Sequence, residues 1–423
     1  MQAFTYYVPT RRVFGPGTEG SVGKEVRAAG GSRILILYGG GSAVRSGLLD
    51  RVLDSLQAEG VAHFLKGGVQ PNPLLRYALE ISAEYRDKGI DLVLAVGGGS
   101  VIDTAKAVAL GLAGPADTIE NAFAGKAAEE DALPVGVVLT IAASGSESSA
   151  VSVLTDDRTH EKLVYEHPCL LPRFAIMNPE LTYTTPPLPT ACGTADIMMH
   201  TIERYFAPVD GNAATDALAE ALLRTVIRFG PVALERPEDY EARSELMWCG
   251  SLSHTGLTGL GRPSDFSIHQ LGHGLSGRYG VPHGMSLTIL WQAWAETVWE
   301  TDPARFARLG RTVFGIREAD NRKAAQAAIG AVTDYFRRLG LPTSLGQSPI
   351  GTLSEEELTE LALACSRNRS RTVGCFRPLG YSEMLAVYRA ANRGTDKKTL
   401  EAESPERDCH QKDYDSSDRK SVV

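Results

Sequence analysis

The stretch Asp91-Leu92-Val93-Leu94-Ala95-Val96-Gly97-Gly98-Gly99-Ser100-Val101-Ile102-Asp103-Thr104-Ala105-Lys106 decides how this chain folds. From Asp91 to Val96 it runs apolar, as a strand covered on both faces does. Gly97-Gly98-Gly99 ends the run, and the residues through Asp103, Lys106 and Val108 open a helix. Glycines without a Cβ let the backbone come close to a pyrophosphate, and the free N–H groups and dipole of a helix start then bind it. A plain tight turn from strand to helix explains the same residues, and the G-x-G-x-x-G spacing of the usual dinucleotide fingerprint is absent.

Outward from there the pattern repeats. Ile34 to Leu37 is a second apolar run, closed by Gly39-Gly40-Gly41-Ser42, and Val135 to Ile141 is a third. Val44 to Glu59 and Leu74 to Lys88 carry apolar residues near the helical period. Strands alternating with helices predict an α/β dinucleotide-binding domain over residues 1–185, with a parallel, Rossmann-like sheet. Phe4 to Phe14 reads as an extended edge strand able to pair with a second subunit. The prolines of Pro186-Pro187-Leu188-Pro189 set the boundary, since they fit neither a central strand nor a helix interior. Beyond them, Thr190 to Tyr205, Ala213 to Phe229, Ala304 to Val313 and Arg322 to Leu339 read as helices. Residues 186–392 are therefore expected to form an all-helical domain. Residues 393–423 are poor in apolar side chains and read as a disordered tail.

With 423 residues, 43% of them hydrophobic and 22% charged, the chain is long enough for more than one core. A net charge of -8 argues against a nucleic-acid or anionic-membrane partner. No apolar run reaches the ~18 residues of a membrane span, and Met1 to Val13 lacks the pattern of a secretion signal. Six irregularly spaced cysteines, with no C-x-x-C pair, fit a reduced cytoplasmic protein.

Two features bear on chemistry. An acidic residue ending the strand at Ile34 to Leu37 would grip a ribose 2′-hydroxyl and repel a 2′-phosphate. Tyr38 and glycines stand there instead, with Arg45 a few residues on, so NADP(H) is expected over NAD(H). Thr140 and the loop Ala143-Ser144-Gly145-Ser146-Glu147-Ser148 suit phosphate or ribose contacts as well as an ordinary polar turn. Asp196 and His200 stand four apart in a helical pattern, as do His269 and His273, and His283 follows. That spacing puts each pair on one helix face, and imidazoles with a carboxylate suit Zn²⁺ or Fe²⁺. Helix-surface hydrogen bonds and structural histidines fit the same spacing, and spacing does not bring such distant stretches together.

Several words occur together, in one order and spacing. They are Tyr38-Gly39-Gly40-Gly41-Ser42, the stretch Gly97 to Lys106, Ser144-Gly145-Ser146-Glu147, Ala195-Asp196-Ile197-Met198-Met199-His200-Thr201-Ile202-Glu203, and Ser264-Asp265-Phe266-Ser267-Ile268-His269 through His273 to His283-Gly284. From Phe4 to Asn392 the chain resembles the iron-containing, or group III, alcohol dehydrogenases, nearest their NADPH-dependent butanol dehydrogenase and aldehyde reductase branch. The resemblance implies a cleft between the two domains where hydride passes between NADP(H) and a small aldehyde or alcohol. It implies one divalent metal, Fe²⁺ or Zn²⁺, held by Asp196, His200, His269 and His283. His273 then lies near metal and substrate without ligating, the best candidate for a proton relay. Cofactor contacts are implied at Gly39, Gly40, Ser42, Asn72, Gly98, Gly99, Ser100, Asp103, Thr140, Ser144, Lys162 and Leu181, beside Gly97. A homodimer through the N-terminal strand is expected. Three positions depart from the family: Phe266 stands where Trp is frequent, Ser149 where Asn is frequent, and the charged tail has no counterpart. The rival reading is a dehydroquinate-synthase-like, metal- and NAD-dependent lyase of the same fold. It needs several cations for an anionic substrate, and Arg204, Arg262 and Arg278 are the main options near the metal-ligand segments.

Overall fold

The computed structural model describes residues 1–126, 131–208 and 211–393. Its strands are β1 (Arg11–Phe14), β2 (Arg33–Tyr38), β3 (Ala62–Lys66), β4 (Leu92–Gly97), β5 (Val135–Leu139), β6 (Val151–Thr155), β7 (Lys162–Glu166) and β8 (Phe174–Met177). Six of them form one parallel sheet in the order β1-β8-β5-β4-β2-β3, while β6 and β7 pair antiparallel beside it. Helices α1 (Val22–Ala28), α2 (Ser42–Arg45), α3 (Leu48–Ala58), α4 (Leu75–Tyr85), α5 (Gly99–Ala113) and α6 (Thr118–Phe123) belong to this half.

The apolar runs are strands because both faces of the sheet are covered. Leu35, Leu37, Val93 and Ala95 pack on one side with α4 and α5, and Ile34, Ile36, Leu94 and Val96 pack on the other with α1 and α3. From β2 the chain steps outward to β3, then returns to β4 on the other side. The register sets Ile36 beside Leu94 and Tyr38 beside Val96. The two glycine triplets therefore leave neighbouring strand ends at the point where strand order reverses, the place where open α/β sheets bind ligands.

The second half is helical: α7 (Pro187–Tyr205), α8 (Ala213–Glu235), α9 (Tyr240–His254), α10 (Ser267–Tyr279), α11 (His283–Val298), α12 (Pro303–Phe314), α13 (Asn321–Arg338), α14 (Glu355–Cys365) and α15 (Tyr381–Ala391). Every residue of α7 from Thr190 to Tyr205 is buried. A helix covered on all sides is a central one, and α8, α9 and α11 pack around it.

Four expectations need correcting. The helix expected from Thr190 starts earlier: Pro187 and Pro189 lie in the first turn of α7, where backbone N–H groups have no partner to lose. Val44 to Glu59 is two helices, because Gly47 takes a left-handed φ of 67° between α2 and α3. The edge strand is only Arg11–Phe14. Pro9 cannot donate to a ladder, and the residues before it turn to the helical half, where Gln2 N donates to Gly261 O at 2.8 Å and Tyr6 Oη to Thr255 Oγ1 at 3.3 Å. Finally, α8 continues past Phe229, through Pro231, to Glu235. The expected tail lies outside the described residues except for Arg393, which pairs with Glu296 at 2.8 Å.

Candidate active site

Asp196 and His200 share one face of α7, as their spacing requires. His269 enters from the first turn of α10 and His283 is the first residue of α11. The three Nε2 atoms lie 3.5 Å (His200), 3.7 Å (His269) and 3.7 Å (His283) from one oxygen, Asp196 Oδ1. Donors about 2.1 Å from a tetrahedral ion stand roughly 3.4 Å apart, so the spacing fits a metal. Ligand atoms of Asp196, His200 and His269 all fall within 4.8 Å of one another. Asp196 Oδ1 and His269 Nε2 are buried without hydrogen-bond partners. Each such atom costs about 1–3 kcal/mol, and one divalent cation among them satisfies both.

The convergence has local causes. A Cβ on Gly284 would lie 2.1 Å from the carbonyl oxygen of Cys192, so only glycine lets the start of α11 rest against α7. Asp265, just before α10, accepts from Cys375 N and Phe376 N at 2.8 Å each and from Ser267 N at 3.1 Å. Phe266 between them has a left-handed φ of 52°.

Burial pushes the imidazoles of His200 and His273 well below the ordinary histidine range and His283 down to about 4. These groups stand neutral, the form that ligates a metal. Burial acts on His269 in the same direction, but Glu203 and Asp196 outweigh it and hold its pKa up at about 9. His273 lies one turn beyond His269, its ring centre 5.7 Å from that of His283. It is beside the cluster rather than in it.

The expected cofactor residues gather mostly at the sheet's switch point. Thr140 N donates to Gly97 O at 3.2 Å, and a Cβ on Gly99 would lie 2.5 Å from Ser144 Oγ, so Gly97 to Ser100, Thr140 and Ser144 line one crevice. Ser42 opens α2 beside Gly39 and Gly40, and Arg45 folds back so that Nη1 is 3.2 Å from where a Gly41 Cβ would stand. Lys162 on β7 donates to Asn72 Oδ1 at 2.6 Å, and burial brings its pKa down to about 8. Asp103 is otherwise engaged: it accepts from Ser146 Oγ at 2.6 Å and Val153 N at 3.2 Å, tying the Ser144–Ser148 loop to β6. The side chain of Leu181 is partly buried and packs against the core on the α1 and α3 side of the sheet.

Loop and metal cluster meet through His254. A Cβ on Gly145 would touch His254 Cβ at 2.4 Å, and the His254 ring centre is 4.3 Å from that of His200. Sequence reasoning missed His254, a lone histidine with no spacing signal. It also assigned no role to Glu203, although Asp196, His200 and Glu203 at i, i+4 and i+7 share a helix face.

Family models agree with this layout. The iron-containing alcohol dehydrogenase model matches residues 9–179, and the C-terminal model of the Fe-containing alcohol dehydrogenase family matches residues 190–392. The chain belongs to the iron-containing alcohol dehydrogenase family. It is 38% identical to NADH-dependent butanol dehydrogenase A of Clostridium acetobutylicum, over 92% of this chain and 99% of that one. It is 36% identical to the NADPH-dependent aldehyde reductase YqhD of Escherichia coli, over 82% of this chain and 89% of the relative. The crystal structure of NADH-dependent butanol dehydrogenase A from Thermotoga maritima superposes with a TM-score of 0.89 at 32% identity, covering 93% of this chain and 99% of that one. These likenesses do not favour the lyase reading. Among the described residues, no helix is long and apolar enough to cross a membrane.

Proposed function

We propose that this family member interconverts small aldehydes and alcohols with NADP(H), using one Fe²⁺ or Zn²⁺ held by Asp196, His200, His269 and His283. The observation that carries the reading is the set of three imidazole Nε2 atoms around Asp196 Oδ1, joined by His254 to the loop that borders the glycine crevice. A divalent ion supplies charge to polarise a carbonyl, and the nicotinamide supplies hydride chemistry. The chain supplies the rest. The start of α5 offers N–H groups to the pyrophosphate. His273, neutral and beside His283, holds and passes the proton of the hydroxyl group. Exposed Phe4, Tyr6 and Tyr7 beside the edge strand form the face for a homodimer, and the buried thiols of Cys192, Cys249 and Cys365 suit the cytoplasm. Assaying nicotinamide absorbance with butanal and either cofactor, alongside metal content, tests the reading. A metal-free preparation with full turnover excludes it.

NADPH is preferred here because β2 ends in Tyr38 and glycines, with the Arg45 guanidinium folded over Gly41. Relatives bearing both NADH and NADPH names make this a point to test. Gly39→Asp is expected to raise KM for NADPH about tenfold or more and leave that for NADH nearly unchanged, since a carboxylate there repels the 2′-phosphate. Equal effects on both cofactors count against the assignment.

Lys162 carries a pH signature. Its ammonium, lowered to about 8 by burial, is charged below that pH and neutral above it. Its attraction for the cofactor is therefore present below about pH 8 and lost as pH rises. kcat/KM for NADPH should decline above pH 8, and Lys162→Met should flatten the decline. An unchanged profile in the variant removes Lys162 from the cofactor site.

A further inference from the structure

We propose that Glu203 is a positioning residue of the metal site, one that presets His269 for ligation by fixing which ring nitrogen carries the proton. The inference rests on the metal reading above.

Glu203 is wholly buried on α7, one turn beyond His200. Its hydrogen bonds go to the first turn of α10. Oε1 accepts from Ile268 N at 2.7 Å and His269 N at 3.3 Å, and Oε2 faces His269 Nδ1. A carboxylate accepts and does not donate. In the neutral ring, the form that ligates a metal, Nδ1 therefore keeps the proton and the lone pair is left on Nε2. That atom is buried, has no hydrogen-bond partner and points at Asp196 Oδ1.

The same carboxylate also caps α10. The residue at the cap position, Phe266, contributes no side-chain bond. Glu203 meets two N–H groups of the first turn instead, so one side chain sets both the position of His269 and the direction of its lone pair. His200 is held differently: its Nδ1 lies 3.4 Å from Arg204 Nη1, and among the described residues no carboxylate is bonded to that nitrogen. His269 is thus the ligand that the fold prepares.

A glutamine at 203 has the same shape and cannot satisfy both partners. With its oxygen toward the backbone, its NH₂ meets Nδ1 and favours the tautomer with Nε2 protonated, which does not ligate. With the amide reversed, the helix start loses its acceptor. Glu203→Gln is therefore expected to weaken metal binding by about 10–100-fold.

Metal-free wild type and Glu203→Gln are titrated with Co²⁺ and Zn²⁺ against a competing chelator, with NADPH binding followed by fluorescence. The expected result is a weaker metal Kd with NADPH affinity unchanged. A metal Kd within about twofold of wild type overturns the role of Glu203. A wild type that takes up neither ion overturns the metal reading beneath it, which is a different outcome. The tautomer is tested without a mutation at 203: nitrogen-15 histidine spectra of the metal-free wild type above about pH 10, where the His269 ring has lost its second proton, assigned with His269→Asn, should show the remaining proton on Nδ1. Protonation at Nε2 overturns the inference whether or not the glutamine variant folds.

Discussion

His269→Ala is expected to leave the protein folded, without bound metal, and slower in aldehyde reduction by about a thousandfold or more. His269 is one of three imidazoles facing Asp196 Oδ1, and its ring is almost fully buried. Removing it takes away one of the four proposed metal donors. A metal's polarisation of a carbonyl is worth several kcal/mol, and each 1.36 kcal/mol is about tenfold in rate. The fold should survive because Glu203 keeps its backbone bonds to Ile268 and residue 269. Losing the imidazole partner costs about 1–3 kcal/mol, seen as a lower Tm. Elemental analysis of the purified variant and steady-state kinetics check the outcome. Wild-type kcat in a variant free of metal would falsify the proposed chemistry.

The second large effect concerns the glycine crevice. A Cβ at Gly98 would lie 2.3 Å from Ile141 Cγ2, so a side chain there forces Ile141, in the loop after β5, to shift. Overpacking of this kind costs about 1–3 kcal/mol in stability. That loop carries Ser144, and on the proposed reading the new side chain stands beside the pyrophosphate. Gly98→Val is therefore expected to weaken NADPH binding by about a hundredfold, near 2.7 kcal/mol, while metal content stays at the wild-type level. Fluorescence titration and elemental analysis separate the two. Unaltered NADPH affinity removes the crevice from cofactor binding, and joint loss of metal means the helical half has been disturbed as well.

These residues differ in how far their roles can be read from the chain. The strand at Asp91 to Val96 is legible because continuous apolar burial between helix layers leaves a continuous apolar run. The triplet Gly97 to Gly99 is legible because close packing there excludes a Cβ. Asp196 with His200 is legible as a shared helix face. The division of Val44 to Glu59 at Gly47 is harder, since the apolar period continues across the break. The shortening of the N-terminal strand is harder still: Tyr6 and Tyr7 favour strand locally, but the segment's partners, Gly261 and Thr255, lie in the helical half.

Local pattern was enough for the parallel sheet, the glycine turn and the helix faces that carry the proposed metal ligands. Periodicity and turn chemistry are properties of neighbours along the chain. The cluster itself was decided in three dimensions. It depends on α10 and α11 approaching α7 closely enough for their histidines to reach one aspartate oxygen, which Gly284 permits against the Cys192 carbonyl. It depends too on Glu203 holding the start of α10 in place. Which helix faces meet, and which buried acceptor sets a ring's proton, are fixed by packing between segments that share no local signal.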